Sequence, residues 1–95
     1  MKIQIKSPDF TVNNCLRGFV TGKIARLSAL YDRISGAEVT LKRLNSGDLD
    51  DCLCEVRLYL SGNDVFASKD GETFEDAVRD AINALRKQVL SLKRY

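Results

Sequence analysis

The chain has no histidine. It therefore lacks the side chain whose ordinary pKa suits proton transfer near neutrality. The base candidates that remain are carboxylates and lysines. No nucleophile–base pair assembles from them, so an enzyme is the least favoured class. Cysteine is sparse: Cys15, Cys52 and Cys54 make an odd number. They do not build a secreted disulfide framework and read as reduced thiols of a soluble, cytoplasmic protein. No apolar run approaches the length of a membrane span. Met1 is followed by Lys2 and strict alternation rather than by the apolar stretch of a signal peptide, so neither a membrane nor a secretory route is expected. Glycines are not grouped after a strand as a phosphate loop requires: Gly18 and Gly22 fall within a helical pattern, and Gly36, Gly47, Gly62 and Gly71 mark separate turns. No cofactor is expected. Charge of one sign is scarce as well. The formal net charge is +2, so any basic surface must come from local clustering. Repeats, low-complexity tracts and linkers are missing. At 95 residues, 44% of them apolar, the chain reads as one domain, residues 1–95, with a modest core.

What is present is periodicity. Ile3 and Ile5 alternate with Lys2, Gln4 and Lys6, a half-buried strand that Pro8 and Asp9 end. Asn13 or Asn14 caps a helix running to about Tyr31. Leu16, Phe19, Val20, Leu27, Leu30 and Tyr31 share one arc of it, and Gly18 and Gly22 lie opposite. Each glycine costs about 1 kcal/mol of helix propensity relative to Ala, so this helix depends on packing. Ser35-Gly36 breaks the pattern. Ala37, Val39 and Leu41 form a second alternating strand, Asn45 to Asp51 a polar turn, and Cys52, Cys54, Val56, Leu58 and Leu60 a third strand. Ser61 to Asp64 is a tight hairpin signal. Val65 to Lys69 is a short fourth strand, and Asp70-Gly71 another turn. Thr73 caps the last helix, which runs to about Arg94, with Asp76 three residues on in a variant capping box. The expected class is α+β, in the order β-α-β-β-β-α. Two amphipathic helices pack on one face of a four-stranded sheet whose last three strands form an antiparallel meander.

The last helix is the most informative segment. Phe74, Ala77, Val78, Ala81, Leu85 and Leu92 form an apolar stripe, flanked by Ile82 and Val89. Glu75, Asp76 and Asp80 occupy its first turns, whereas Arg79, Arg86, Lys87, Lys93 and Arg94 project away from the stripe, an order that suits the helix dipole. In the first helix Lys23 and Arg26 sit beside the apolar stripe. The Lys23 stem must snorkel past the core, and both side chains are placed to project along a groove between the helices. Two readings stand: an ordinary solvated helix face, or a ridge of cations that grips phosphate. Other features have plainer readings. Asp48, Asp50 and Asp51 crowd one turn but lack the glycine and terminal Glu of a calcium loop, and read as solvated. Cys52 and Cys54 point to one strand face and line the core, since a zinc site needs more ligands than Cys15 adds. Leu90 is an isolated apolar residue on the polar side of the last helix. Tyr59 and Phe66 point away from the buried face, either pairing across strands or offering rings to bases.

The segment Leu16-Arg17-Gly18-Phe19-Val20-Thr21-Gly22-Lys23-Ile24-Ala25-Arg26-Leu27, with Tyr31-Asp32-Arg33-Ile34 after it, resembles the first helix and its exit in a known family. Gly62-Asn63-Asp64-Val65-Phe66-Ala67-Ser68 resembles that family's third turn and last strand. Phe74-Glu75-Asp76-Ala77-Val78 and Leu85-Arg86-Lys87-Gln88-Val89 resemble its second helix. The family is that of ribosome hibernation-promoting factors and ribosome-associated inhibitors, also called sigma-54 modulation or S30EA ribosomal proteins, and the resemblance spans essentially the whole chain. It implies a fold like a double-stranded-RNA-binding domain. It further implies a non-enzymatic protein that binds the small ribosomal subunit, its 16S-type ribosomal RNA and ribosomal proteins, in the channel between head and body. There the basic helices occupy the place of messenger and transfer RNA and idle the ribosome in stress or stationary phase. Long members carry a C-terminal dimerisation domain and some inhibitors an acidic tail. Ending at Tyr95, this chain is similar to the short form, which implies ribosome pairing with a separate dimerisation factor.

On that resemblance the rRNA-binding residues are Lys23, Arg26, Arg79, Arg86, Lys87, Lys93 and Arg94. Lys23 and Arg26 match basic positions of the family's first helix and Lys87 one of its second, while Arg86, Lys93 and Arg94 are basic neighbours at less fixed positions. Ala84 and Ser91 stand where members often carry lysine, and Arg79 where they often carry Asp or Asn, so the basic surface is shifted rather than lost. The alternatives are a regulatory protein-interaction module, working through Leu90 or a sheet edge, and generic RNA binding through Tyr59 and Phe66.

Overall fold

The two periodicities resolve, in a computed structural model that describes residues 2–8, 10–46 and 49–92, into β1 (Lys2–Lys6), α1 (Asn14–Ser28), β2 (Ile34–Ser46), β3 (Leu49–Leu60), β4 (Val65–Gly71) and α2 (Phe74–Leu92). The sheet order is β1-β2-β3-β4. β1 runs parallel to β2, with Ile3 opposite Ala37 and Ile5 opposite Val39. A parallel pair needs a crossover, and α1 supplies it. β2–β3 and β3–β4 are antiparallel. The expected α+β architecture is thus the observed one.

One face of the sheet presents Ala37, Val39, Leu41, Cys54, Val56, Leu58 and Ala67, all buried, to the apolar stripes of the two helices. From α1 come Leu16, Val20, Ile24 and Leu27; from α2 come Phe74, Ala77, Val78, Ala81, Ile82, Leu85 and Val89. Full burial of each Val, Leu or Ile contributes about 1.5–3 kcal/mol, which is what holds α1 together despite its two exposed glycines. Phe10, in the loop before α1, stacks on Phe74 at 4.7 Å and closes one end of this layer.

Local chemistry sets the helix ends. The Asn13 side chain accepts the Leu16 N–H at 2.8 Å, and Thr73 Oγ1 accepts the Asp76 N–H at 3.1 Å. Such caps are worth about 1 kcal/mol each. α1 stops at Ser28, short of the expected Tyr31. Ser28 Oγ donates to the Ala25 carbonyl, and the next turn tightens as Leu30 and Tyr31 donate to Leu27 and Ser28. Leu30 and Tyr31 still pack on the core from outside the helix.

The strands are longer than turn chemistry alone indicates. β2 begins at Ile34, and Ser35 is absorbed as a bulge between Ile34 and Gly36, its hydroxyl donating to the Tyr59 carbonyl at 3.0 Å. The ladder continues through Asn45 opposite Asp50 and Ser46 opposite Leu49. Most of the expected turn from Asn45 to Asp51 is therefore strand; Gly47 and Asp48 lie outside the described residues. Asp70 and Gly71 likewise pair with Leu53 and Cys52. In each case satisfying backbone groups in an established ladder outweighs the weak strand preference of Asn, Asp and Gly. Two glycines stand at constrained positions. Gly62 turns the β3–β4 hairpin with φ +103°, and a Cβ on Gly71 would meet the Ala77 nitrogen at 3.1 Å, where α2 starts against the strand.

Leu92 departs from the expected stripe and is exposed. α2 runs back along β4, where the Gln88 amide donates to the Phe66 carbonyl at 3.0 Å. Leu92 lies in the last turn of α2, one turn beyond the buried Val89, and is 36% exposed.

Candidate nucleic-acid interface

Where α1 and α2 lie side by side, an open groove of about 310 Å³ runs between them. α1 contributes Lys23, Arg26 and Leu27, the turn after it Leu30, and α2 contributes Arg79, Ile82, Asn83 and Arg86. Both sets are spaced i, i+3, i+4, i+7, the pattern of one helix face. The leucines and Ile82 form the floor, and the four cations form the rim. Among the described residues no carboxylate lines the groove. Lys23 is half-buried, with Nζ 5.4 Å from the centre of the Phe19 ring, which keeps its stem on the protein and its charge outside. Arg79 is drawn toward Asp76 one turn earlier, at 3.4 Å. An exposed pair of this kind is worth little and leaves Arg79 free to rearrange. Lys23 and Arg26 also border a second cleft of about 280 Å³ on the outer side of α1, with Gly18, Phe19 and Gly22.

Of the residues expected to bind, Lys23, Arg26, Arg79 and Arg86 are brought together. Lys87 is exposed but about 100° round the helix from Arg86, outside the groove. Lys93 and Arg94 lie outside the described residues. Asn83 was not singled out by its type. Its position four residues after Arg79 and three before Arg86 was the available signal.

The opposite, open face of the sheet is a lattice of internal pairings. Lys6 meets Glu38 at 3.1 Å, Lys42 meets Glu55 at 3.6 Å and Arg57 meets Asp64 at 3.9 Å. Tyr59 and Phe66 do not pair with each other. The Tyr59 hydroxyl donates to Glu38 at 2.7 Å, and Arg57 sits 5.7 Å over the Phe66 ring. The cause is register: Phe66 stands opposite Arg57, and Tyr59 opposite Gly36. The hydrogen bond from Tyr59, then that from Lys6, lowers the Glu38 pKa below 4.5, and the same bond to Glu38 raises that of Tyr59 above 10.0. Glu38's contribution to stability is present above its unfolded value and is lost as pH falls through its lowered folded value. Tyr59's contribution is present below its unfolded value and is lost as pH rises through its raised folded one. The melting-temperature difference between wild type and Tyr59→Phe is accordingly expected to hold steady through neutral pH and to close at both extremes. A difference that persists at both extremes contradicts this pairing.

Burial pushes the Cys54 thiol up to about 12, so it packs as an apolar side chain. Cys52 is half-buried, with its sulfur 3.8 Å from the Glu72 carbonyl. Among the described residues no group of His, Cys, Asp and Glu is placed to hold a metal, and no helix is long and apolar enough to cross a membrane. Leu90 is exposed on α2. Gln88 already occupies the Phe66 carbonyl on β4, and β1 is short and carries exposed Lys2 and Lys6, features that blunt a sheet edge.

The chain as a whole is similar to several known proteins. The ribosome hibernation promoting factor of Escherichia coli (strain K12) is 29% identical over 93 residues, covering 98% of this chain and 94% of that protein. The protein of the same name from Azotobacter vinelandii is 28% identical over 95 residues, covering 98% and 83%. The fold is shared with a solved ribosomal subunit interface protein from Coxiella burnetii, with a TM-score of 0.87 at 20% identity over 100% of both chains. It is also shared with the N-terminal domain of Protein Y from Thermus thermophilus, with a TM-score of 0.80 at 24% identity over 94% and 96%. Residues 3–95 match the family described as sigma 54 modulation protein / S30EA ribosomal protein, and the chain belongs to that family.

Proposed function

We propose that this protein is a ribosome hibernation factor. It binds the small ribosomal subunit near the decoding channel through its basic helices and blocks the messenger and transfer RNA sites in stress or stationary phase. The observation that carries the reading is the convergence of Lys23, Arg26, Arg79 and Arg86 on one groove with no carboxylate among the described residues that line it. The names of its relatives, ribosome hibernation promoting factor and ribosomal subunit interface protein, supply the partner. The mechanism is occlusion and involves no bond-making. The cations neutralise ribosomal RNA phosphates and displace their counterions, and the body of the domain fills space that translation needs. A separate ribosome-dimerisation factor belongs to the same reading, as the partner that pairs the silenced ribosomes.

Sucrose-gradient sedimentation with purified ribosomes and subunits tests it. The protein should travel with the small subunit at low salt and be released as salt rises, because each phosphate contact gives up its gain from counterion release. Protein left at the top of every low-salt gradient overturns the proposal.

A further inference from the structure

The interhelical groove has features that a plain phosphate grip does not need. Three of its four cations are arginines, whose planar guanidinium groups stack on bases as well as fork onto phosphates. Its floor is apolar, built from Leu27, Leu30 and Ile82. Asn83 lies at the middle of the α2 side, exposed, and its amide makes none of the hydrogen bonds found among the described residues. An amide carries a donor and an acceptor together, the complement of a base edge and not of a phosphate. The groove's 310 Å³ is the scale of one small ligand and not of a turn of duplex. An A-form duplex also keeps its bases stacked and offers such a groove only its backbone and a shallow minor groove.

From this we infer that the groove takes a single unpaired nucleotide of RNA. Its base enters over Leu30 and Ile82 between the arginine planes, the Asn83 amide bonds the base edge, and the flanking phosphates rest on Lys23, Arg26 and Arg86. This names the ligand chemistry of the site in the proposed function and rests on that reading. It also gives the four like charges a reason to converge, since repulsion among them is relieved when the anionic strand arrives.

Fluorescence anisotropy with the full chain provides the test. The probes are a short single-stranded adenosine-containing RNA, the same strand with one abasic position, and a duplex of equal length. The intact single strand should bind about tenfold more tightly than the abasic strand or the duplex. Asn83→Ala should remove most of that preference without altering the salt slope, whereas Arg86→Ala should lower the slope by about 0.7. Equal affinity for all three RNAs, or an Asn83→Ala protein indistinguishable from wild type, overturns the inference. So does displacement by free adenosine monophosphate at nucleotide concentrations matching the strand, which would make the ligand a free nucleotide. If these arms fail while ribosome cosedimentation still depends on the groove cations, the nucleotide pocket is wrong and the hibernation reading stands. If cosedimentation itself fails, both fall.

Discussion

Replacement of Lys23, Arg26, Arg79 and Arg86 together by Ala is expected to abolish comigration with ribosomes while leaving a folded protein. The four side chains line one groove from two helices, so their combined loss empties the site of positive charge and takes the formal net charge from +2 to −2. With about 0.7 of a salt-slope unit per phosphate contact, the slope should fall by about 3, and affinity at low salt by on the order of 100-fold or more. Folding should survive. None of the four side chains is fully buried, and removing like charges from facing helices offsets the packing lost where the Lys23 stem covers Phe19. Circular dichroism melting run beside the gradients separates a lost surface from a lost fold. Lys87 is the internal control. It is exposed on the same helix but outside the groove, so Lys87→Ala should cost less binding than Arg86→Ala. A quadruple variant that is folded and still comigrates like wild type would place the interface elsewhere.

The second large effect is on stability. Ile24→Ala should destabilise the protein by about 2–5 kcal/mol, because it removes a branched side chain from a fully buried site and leaves a cavity. Domains of this size typically hold about 5–15 kcal/mol in total. A loss near 3 kcal/mol then corresponds to a fall of about 12–24 °C in melting temperature. Ile24 lies between Val20 and Leu27 on the buried side of α1. That helix's other buried residues are Leu16, Val20 and Leu27, while its two glycines are exposed and a Cβ on either would meet nothing within 4 Å. Chemical denaturation should show the midpoint shift with an unchanged slope. A change of less than 1 kcal/mol would mean that α1 is not seated on the core as described.

Ile24 also marks where linear reading thins out. The pattern legible in the sequence was Leu16, Phe19, Val20, Leu27, Leu30 and Tyr31, yet Ile24 is fully buried and Phe19 only half so, and Leu30 and Tyr31 lie past the end of α1. Periodicity locates a face, but the angle at which a helix meets its sheet decides which residue at the edge of that face is covered. α2 gives the complementary case. Its apolar stripe was legible from Phe74 to Val89, but Leu92, expected on the same stripe, is exposed in the last turn of the helix.

Element order, the sheet's buried face, the capping residue Thr73 and the class of the fold were determined by the sequence alone, while the first cap was narrowed to Asn13 or Asn14. They follow from alternation, helical spacing and short-range hydrogen bonds, all of which act between near neighbours in the chain. The ends of the strands were not, because Asn45, Ser46 and Asp70 become strand only when a partner strand offers them a ladder. The site divides in the same way. That Lys23 and Arg26 border the apolar stripe of α1 was legible, whereas Arg79 and Arg86 read only as projecting away from the stripe of α2. That they face one another across a single groove, with Asn83 among them and Lys87 outside it, was decided by the packing of α1 against α2. Two segments more than fifty residues apart acquire a common electrostatic field only once the core brings them together.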